Sequence, residues 1–225
     1  MLIYGKQTVY YVLNHHQSKI QTLYLAKEVE KKEYSKLMKL GFEIKRIPRH
    51  AADKMCKNSN HQGFLCEVED IDFAPLKSTL DKNFVIILSA ITDIGNIGAI
   101  IRSAYALGVD SVIVCGIKQL KLEPIARSSS GALFDMPISL SHNIYDAIND
   151  LRTSGFTIYG AAMDGEDIKE VDIAKKKVLI LGNESTGLGA KVISKLDKEI
   201  SIVMTNNFNS LNVSAAGAIL IDRMR

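Results

Sequence analysis

Short apolar runs and amphipathic stretches alternate along this chain, and the alternation itself is the first clue. Mostly β-branched runs at residues 84–89, 111–115, 156–161, 178–181 and 200–204 predict buried strands. Helical stretches separate most of them, which favours a parallel sheet covered on both faces. Ile97, Ile100, Ile101 and Ala104 recur at helical spacing around Gly98, with Gly108 as a stop. Nearer the start the elements are smaller. Residues 5–14 predict a short helix, 22–25 a strand, and 29–40 a charged amphipathic helix closed by Gly41. Residues 43–47 alternate as a strand, Pro48 opens a helix at its favoured first position, and 64–68 form a further strand. Such alternation within about 70 residues describes a compact α/β/α module.

An acidic stretch, Glu67, Glu69, Asp70 and Asp72, runs up to Pro75 and marks a linker. The expected division is therefore a first domain over 1–70, a linker over 71–82 and a second α/β domain over 83–225. The chain's last stretch is unusual. A strand over 200–204 gives way to mostly polar residues from Thr205 to Ser210, and then nearly every position from 213 to 221 is small or apolar. That pattern predicts a helix buried on most of its surface, with Ser210 or Asn212 as N-cap. Ala215, Ala216, Gly217 and Ala218 would let another backbone come very close.

Composition narrows the class. The 225 residues are 47% hydrophobic and 24% charged, ordinary for a globular protein. No apolar run approaches the ~20 residues that span a bilayer, and the first residues lack the order of a signal peptide. Cys56, Cys66 and Cys115 have no metal-ligand spacing and cannot all pair, which points to a reduced, cytoplasmic protein without a metal. Charge is unevenly placed. Residues 1–70 hold 12 Lys+Arg against 8 Asp+Glu, and four of the five histidines. A basic front module suits a polyanion, although a solvated lysine-rich face would look the same. Within it, the polar loop from Lys57 to Gly63 could meet RNA, with His61 and Gln62 as donors and Lys57 near phosphate, or be a plain surface turn.

Several enzyme classes are absent by motif. There is no GxGxxG, no GxxxxGK[ST], no HExxH and no GxSxG. What remains are polar residues in three loops, each following a predicted strand, where open α/β sheets hold ligands. Asn96 can brace the first loop, and Arg102 on the following helix suits a phosphate or carboxylate, or a surface ion pair. Glu184 sits in Leu181-Gly182-Asn183-Glu184-Ser185-Thr186-Gly187-Leu188, as a functional carboxylate or as a cap for the helix near Gly189. Ser210 and Asn212 can cap the last helix and still touch a substrate.

These three stretches resemble the three motifs of the SpoU/TrmH family of RNA 2′-O-ribose methyltransferases. DIGNIGAIIRSA (93–104) is similar to motif one, LGNESTGL (181–188) to motif two, and residues 200–220 to motif three. The first domain resembles the ribosomal-protein-like RNA-binding domain of the RlmB branch. Ile94 and Val203 stand where the family usually has proline, a change of loop stiffness more than of chemical groups. The resemblance implies a SPOUT fold with a C-terminal trefoil knot, S-adenosylmethionine as cofactor, and a homodimer completing each site. It implies catalytic roles for Asn96, Arg102, Glu184, Ser210 and Asn212, and cofactor contacts at Gly160, Gly182, Ile202 and Leu211. The leading expectation is methylation of a guanosine ribose in 23S ribosomal RNA. The alternatives are transfer-RNA methylation and a non-catalytic RNA-binding or ribosome-assembly protein.

Overall fold

The computed structural model describes residues 1–205 and 210–225, so the part of the expected polar stretch at 206–209 lies outside the described residues. Two compact units emerge from the packing, Met1–Asp72 with Lys121–Phe134, and Phe73–Leu120 with Asp135–Arg225. The expected bounds at 70 and 83 follow chain order, whereas packing adds the segment Lys121–Phe134 to the first unit.

The first unit begins with β1 (Leu2–Tyr4), α1 (Lys6–His15), β2 (Ile20–Leu25), α2 (Lys31–Met38), β3 (Glu43–Arg46), α3 (Arg49–Met55) and β4 (Phe64–Val68). Its sheet runs β1-β4-β2-β3, with β4 antiparallel to both neighbours and β2 parallel to β3. The period of two sorts the side chains. Tyr4, Leu65 and Tyr24 pack with Ala52 of α3 and its C-cap Cys56 on one face. Ile3, Leu23 and Cys66, on the other face, are fully buried, as are Val9 and Val12 of α1. The Lys121–Phe134 segment packs on α1 and β1. Thr8 Oγ1 donates to Ala126 O at 3.2 Å, and Gly131 lies so close beneath Tyr11 that a Cβ would come within 2.6 Å of its ring.

The second unit contains β5 (Phe84–Ser89), α4 (Ile94–Ala106) and β6 (Ser111–Cys115). After the α5 helix (Leu122–Ser128) of the added segment come β7 (Ile138–Ser141), α6 (Ile144–Thr153), β8 (Thr157–Asp167), β9 (Lys177–Leu181), α7 (Ala190–Ile193), β10 (Lys198–Ser201) and α8 (Val213–Met224). All six strands are parallel, in the order β10-β8-β9-β5-β6-β7. Val85, Ile87, Ile113, Ile158, Val178 and Ile180 form one core with Ile148 and Leu151 of α6 and Val192 of α7. The alternate residues, Ile86, Leu88, Val112, Val114, Leu179 and Leu181, point the other way and are also buried, on the face of α4 and α8. Sandwiching on both faces is why these strands read as continuous apolar runs. β10 lies at one edge of the sheet, yet α8, the next element, packs beside β9 with Gly217 against Leu181 and Ile100. The last helix therefore packs toward the middle of the sheet and not beyond its β10 edge. Residues of β8 within its register shift, between the pairings at Gly160 and Glu166, wrap β10 tightly: Ser201 Oγ donates to Gly165 O at 2.7 Å, and a Cβ on Gly165 would lie 2.7 Å from the backbone of Glu199 and Ile200.

Four expectations need correction. The last strand is Lys198–Ser201 rather than 200–204; an edge strand bonds one neighbour through backbone, so Lys198 and Glu199 can join it while Ile202 to Met204 leave. β7 and β1 carry no strand prediction, because four residues (Ile-Ser-Leu-Ser) and three residues give little period to read. Pro48 precedes α3 as its N-cap instead of occupying its first turn. Finally, α8 is not buried on most of its surface. Gly217, Leu220, Ile221 and Met224 are buried, but Ala215 is exposed and Ile219 is 39% exposed.

Candidate active site

β5 and β9 are neighbours in the middle of the six-stranded sheet, with Leu88 opposite Leu181. From β5 the chain runs outward to β6 and β7; β9 faces the other half of the sheet. Strand order reverses between them, so the loops at their carboxyl ends stand at the switch point, the position where open α/β sheets take ligands in a crevice.

The first loop leaves β5 at Ala90, which has φ 54°, a left-handed conformation that residues with a Cβ rarely adopt. Its N–H donates to Cys115 O at 3.0 Å. Asp93 then caps α4, its carboxylate accepting from Asn96 N–H at 2.7 Å. The second loop leaves β9 at Gly182 and closes on itself. Asn183 and Gly187 exchange backbone bonds of 3.1 and 2.9 Å, and Gly187 has φ 64°. Gly182 has no room for a side chain; a Cβ would meet the Gly187 carbonyl carbon at 2.4 Å and its oxygen at 2.5 Å.

Two side-chain bridges tie the loops. Asn96 Nδ2 donates to Glu184 Oε1 at 2.9 Å, and Asn183 Nδ2 donates to Ala90 O at 2.9 Å. Glu184 does not cap α7, whose N-terminus at Gly189 has no side-chain cap, so that alternative falls. Arg102 stands apart from this contact. It is exposed on α4 and has no hydrogen-bond or ion-pair partner among the described residues, which also removes the surface ion pair. Its guanidinium is thus left available for an anion.

The third loop ends at α8. Asn212 is its N-cap, accepting from Ser214 N–H at 2.8 Å and Ser214 Oγ at 2.6 Å. Ser210 and Leu211 are exposed just before it, and Ile202 is half-buried just after β10. The backbone N–H groups of Ile202 and Leu211 have no partner among the described residues. Gly160 is buried in β8, paired with Ile180 and Glu199, and a Cβ there would lie 2.3 Å from Leu196 and 2.9 Å from Leu188. A side chain at 160 would therefore have to displace the ends of Leu196 and Leu188. Beneath the crevice, burial pushes the Cys115 thiol up to about 12, so it stays protonated and unreactive.

In the first unit the loop residues from Asn58 to Gly63 border a cleft of ≈ 590 Å³ with Lys27, Arg49 and Asp53. Lys57, Asn58, Gln62 and Gly63 all have positive φ, so the loop's shape is strongly constrained. His61 is not a donor to RNA, contrary to expectation. It is 5% exposed; Gly63 N–H donates to its Nδ1 at 3.0 Å and its Nε2 meets Asp53 Oδ1 at 3.0 Å, so both ring nitrogens are used inside the loop. Gln62 is exposed with its Oε1 accepting from Lys6 N–H, and Lys57 is exposed. Sequence reasoning missed Lys27 and Arg49. Lys27 is laid over the Phe64 ring at 4.8 Å, and Arg49 is exposed with no partner among the described residues. Asn183 and Ala90 were missed too; Asn183 stood inside a singled-out loop, but nothing marked Ala90.

Among the described residues, no cluster of His, Cys, Asp or Glu could hold a metal ion, and no helix is long and apolar enough to cross a membrane. Comparison with known proteins gives consistent results. The profile of the SpoU rRNA methylase family matches residues 83–222, and that of RNA 2′-O ribose methyltransferase substrate binding matches residues 2–74. A Borreliella burgdorferi protein described as an uncharacterised tRNA/rRNA methyltransferase is 34% identical over 215 residues, covering 88% of this chain and 94% of its own. A putative TrmH family tRNA/rRNA methyltransferase of Bacillus subtilis is 28% identical, covering 97% and 92%. Among solved structures, the AdoMet-bound rRNA methyltransferase from Sinorhizobium meliloti superposes with a TM-score of 0.79 at 24% identity, over 100% of this chain and 86% of that one. The SpoU methyltransferase AviRb from Streptomyces viridochromogenes, in complex with AdoMet, gives 0.80 at 24% identity, over 100% and 88%.

Proposed function

The chain belongs to the SpoU rRNA methylase family, and on that premise we propose that it transfers a methyl group from S-adenosylmethionine to a ribose 2′-hydroxyl of RNA, a guanosine of 23S ribosomal RNA foremost. The observation that carries the reading is the Asn96–Glu184 bond at 2.9 Å, which joins two loops of separate strands across the switch-point crevice. The residues present suit the cofactor. Gly182 keeps its loop tightly closed against Gly187, and the N–H groups of Ile202 and Leu211, without a partner among the described residues, can donate to a polar ligand. Gly182, Ile202 and Leu211 would hold it, with Gly160 shaping the floor. S-adenosylmethionine would supply an already activated methyl on its sulfonium sulfur.

The protein's own task is then alignment and charge. Arg102, permanently charged and without a partner among the described residues, binds the phosphate beside the target ribose and stabilises the 2′-oxygen as its proton passes to water. Asn96 and Glu184 fix the loop geometry around it, and Ser210 and Asn212 orient the ribose from the α8 side. The first unit holds RNA through Lys57 and Gln62, joined by Lys27 and Arg49 at the cleft. Two copies pair through the exposed faces of α4 and α8, where Tyr105 and Ile219 are 42% and 39% exposed beside the Arg102 stripe. The enzyme would work in the cytoplasm.

The test is tritium transfer from labelled S-adenosylmethionine to ribosomal and transfer RNA from cells lacking the gene. Arg102→Ala should abolish transfer with cofactor binding intact by calorimetry, and ribosomal RNA should outperform transfer RNA. Full methylation by Arg102→Ala would remove that residue from the mechanism, and a preference for transfer RNA would overturn the substrate reading. RNA binding without any cofactor binding would mean a non-catalytic RNA-binding protein.

A further inference from the structure

Asn183 has no role in the scheme above, yet its side chain makes more hydrogen bonds in the crevice than any residue that does. Its Oδ1 accepts from Ser185 N–H at 2.9 Å, Ser185 Oγ at 2.7 Å and Thr186 N–H at 3.4 Å. Its Nδ2 donates to Ala90 O at 2.9 Å, across the gap between the loops. The two ends of one amide therefore have different tasks. The acceptor end shapes the turn over 183–187. The donor end grips the other loop at Ala90, where the chain leaves β5 in the left-handed conformation. Such a conformation persists where its surroundings over-determine it, and the Asn183 bond is one of those determinants. Directly after Asn183 comes Glu184, whose carboxylate meets Asn96 six residues beyond Ala90.

We propose that Asn183 is a positioning residue: its amide locks the two loops in register, so that Glu184 is presented to Asn96 and the crevice keeps its width. The proposal rests on the reading of this crevice as the methyl-transfer site. Aspartate at 183 is the informative replacement. It keeps an acceptor for Ser185 and Thr186, but in place of the NH₂ it sets an anionic oxygen against the Ala90 carbonyl oxygen, and the two repel. Once protonated, its O–H can donate to Ala90 O and restore the grip. The carbonyl opposite and the Glu184 carboxylate both favour that proton. Further charged or titratable groups on the elements that carry these loops are Asp93 on the first loop, Arg102 further along α4 and the protonated Cys115 at the end of β6.

The experiment compares the full-length parent, Asn183→Ala and Asn183→Asp for S-adenosylmethionine binding by calorimetry and for tritium transfer to RNA between pH 5.5 and pH 8. Asn183→Asp should bind the cofactor about as well as the parent, while its kcat at pH 8 drops at least about tenfold, as for other orienting partners of site residues. Its rate relative to the parent should then climb as pH falls. Asn183→Ala, with neither end of the amide, should lose affinity and rate together and show no such climb. A flat ratio across the pH range, parental turnover by Asn183→Asp at pH 8, or rate losses that follow only the folded fraction would overturn the proposal. Hydrogen exchange separates this from failure of the functional reading. If the parent transfers no methyl group, that reading falls, but the amides of residues 90–97 should still exchange faster in both variants at pH 8, and unchanged exchange there would refute the bridge itself.

Discussion

Replacing Gly182 by alanine adds one methyl group, and the structure says where it must go. The new Cβ would sit 2.4 Å from the Gly187 carbonyl carbon, 2.5 Å from its oxygen and 2.7 Å from Leu188 N. Carbon contacts are comfortable at ~3.5–4.0 Å, so the overlap is about 1 Å, and all three atoms are backbone, with no rotamer to swing away. The loop must move by a similar distance. Moving it opens the Asn183–Gly187 pair of bonds, 3.1 and 2.9 Å, and drags Glu184 from Asn96. Overpacking of this kind costs about 1–3 kcal/mol. A shift near 1 Å in a site built for alignment can cost ~100-fold in rate. Gly182→Ala should therefore melt a few degrees lower, bind S-adenosylmethionine weakly and transfer methyl groups about two orders of magnitude more slowly. Gly189, seven residues on, is the control. It has no heavy atom within 4 Å of a built Cβ and φ −66°, so Gly189→Ala should stay close to the parent. Calorimetry, thermal melting and tritium transfer on both variants decide the matter. Parental binding and turnover by Gly182→Ala, or equal damage from Gly189→Ala, would refute the steric reasoning.

Other outcomes follow from the same geometry. Lys27→Ala with Arg49→Ala should weaken RNA binding and reduce the slope of log affinity against log salt by about 1–2, since each removes up to one phosphate contact; fluorescence anisotropy at several salt concentrations reads this, and an unchanged slope would exclude the cleft. His61→Ala should lower both thermal stability and RNA affinity although His61 touches no RNA, because it leaves Gly63 N–H and Asp53 without their buried partner, at about 1–3 kcal/mol. Ile219→Glu should convert the proposed dimer to monomers in sedimentation experiments. The Cys66 and Cys115 thiols, held up to about 12 by burial, ionise first in the unfolded chain. Their stabilisation is thus present below the unfolded thiol pKa near ~8.5 and is lost as pH rises from there toward 12, at ~1.4 kcal/mol per pH unit for each thiol. Urea unfolding at pH 8 and pH 10 should show the decline, and Cys115→Ala should shrink it.

How much of this could be read from the residues depends on where the information sits. Strands buried on both faces announce themselves: the 84–89 and 111–115 runs match β5 and β6 because every position in them but the terminal Ser89 and Ser111 carries an apolar side chain. β7 does not, since Ile138-Ser139-Leu140-Ser141 alternates over too few residues, and the hydroxyl of Ser139 is buried without a partner among the described residues. In the site, residue types were legible but pairings were not. Asn96 and Glu184 lie 88 positions apart, and only the adjacency of β5 and β9 brings them to 2.9 Å. His61 shows the reverse error. A histidine in a polar loop reads as a ligand donor, yet two short bonds turn it inward as the brace of its own turn. Ala90 was invisible, because a left-handed alanine is set by the bonds around it and by nothing in its own side chain.

The last helix makes the most instructive case. A helix with small or apolar residues on nearly all sides belongs in an interior, and α8 has such a sequence. Within one chain only the stripe of Gly217, Leu220, Ile221 and Met224 is covered, while Ala215 and Ile219 face outward. On α4, the helix it packs against, Tyr105 is likewise exposed on the side that carries Arg102. A hydrophobic pattern reports burial in the state that functions, and it does not distinguish cover by the same chain from cover by a second one. The proposed pairing of two copies through α4 and α8 removes the discrepancy: it gives the outward apolar residues a partner and puts Arg102 at the rim of that interface. A monomer in solution at working concentration, with full methyl transfer, would leave the outer face of α8 without a reason to be apolar.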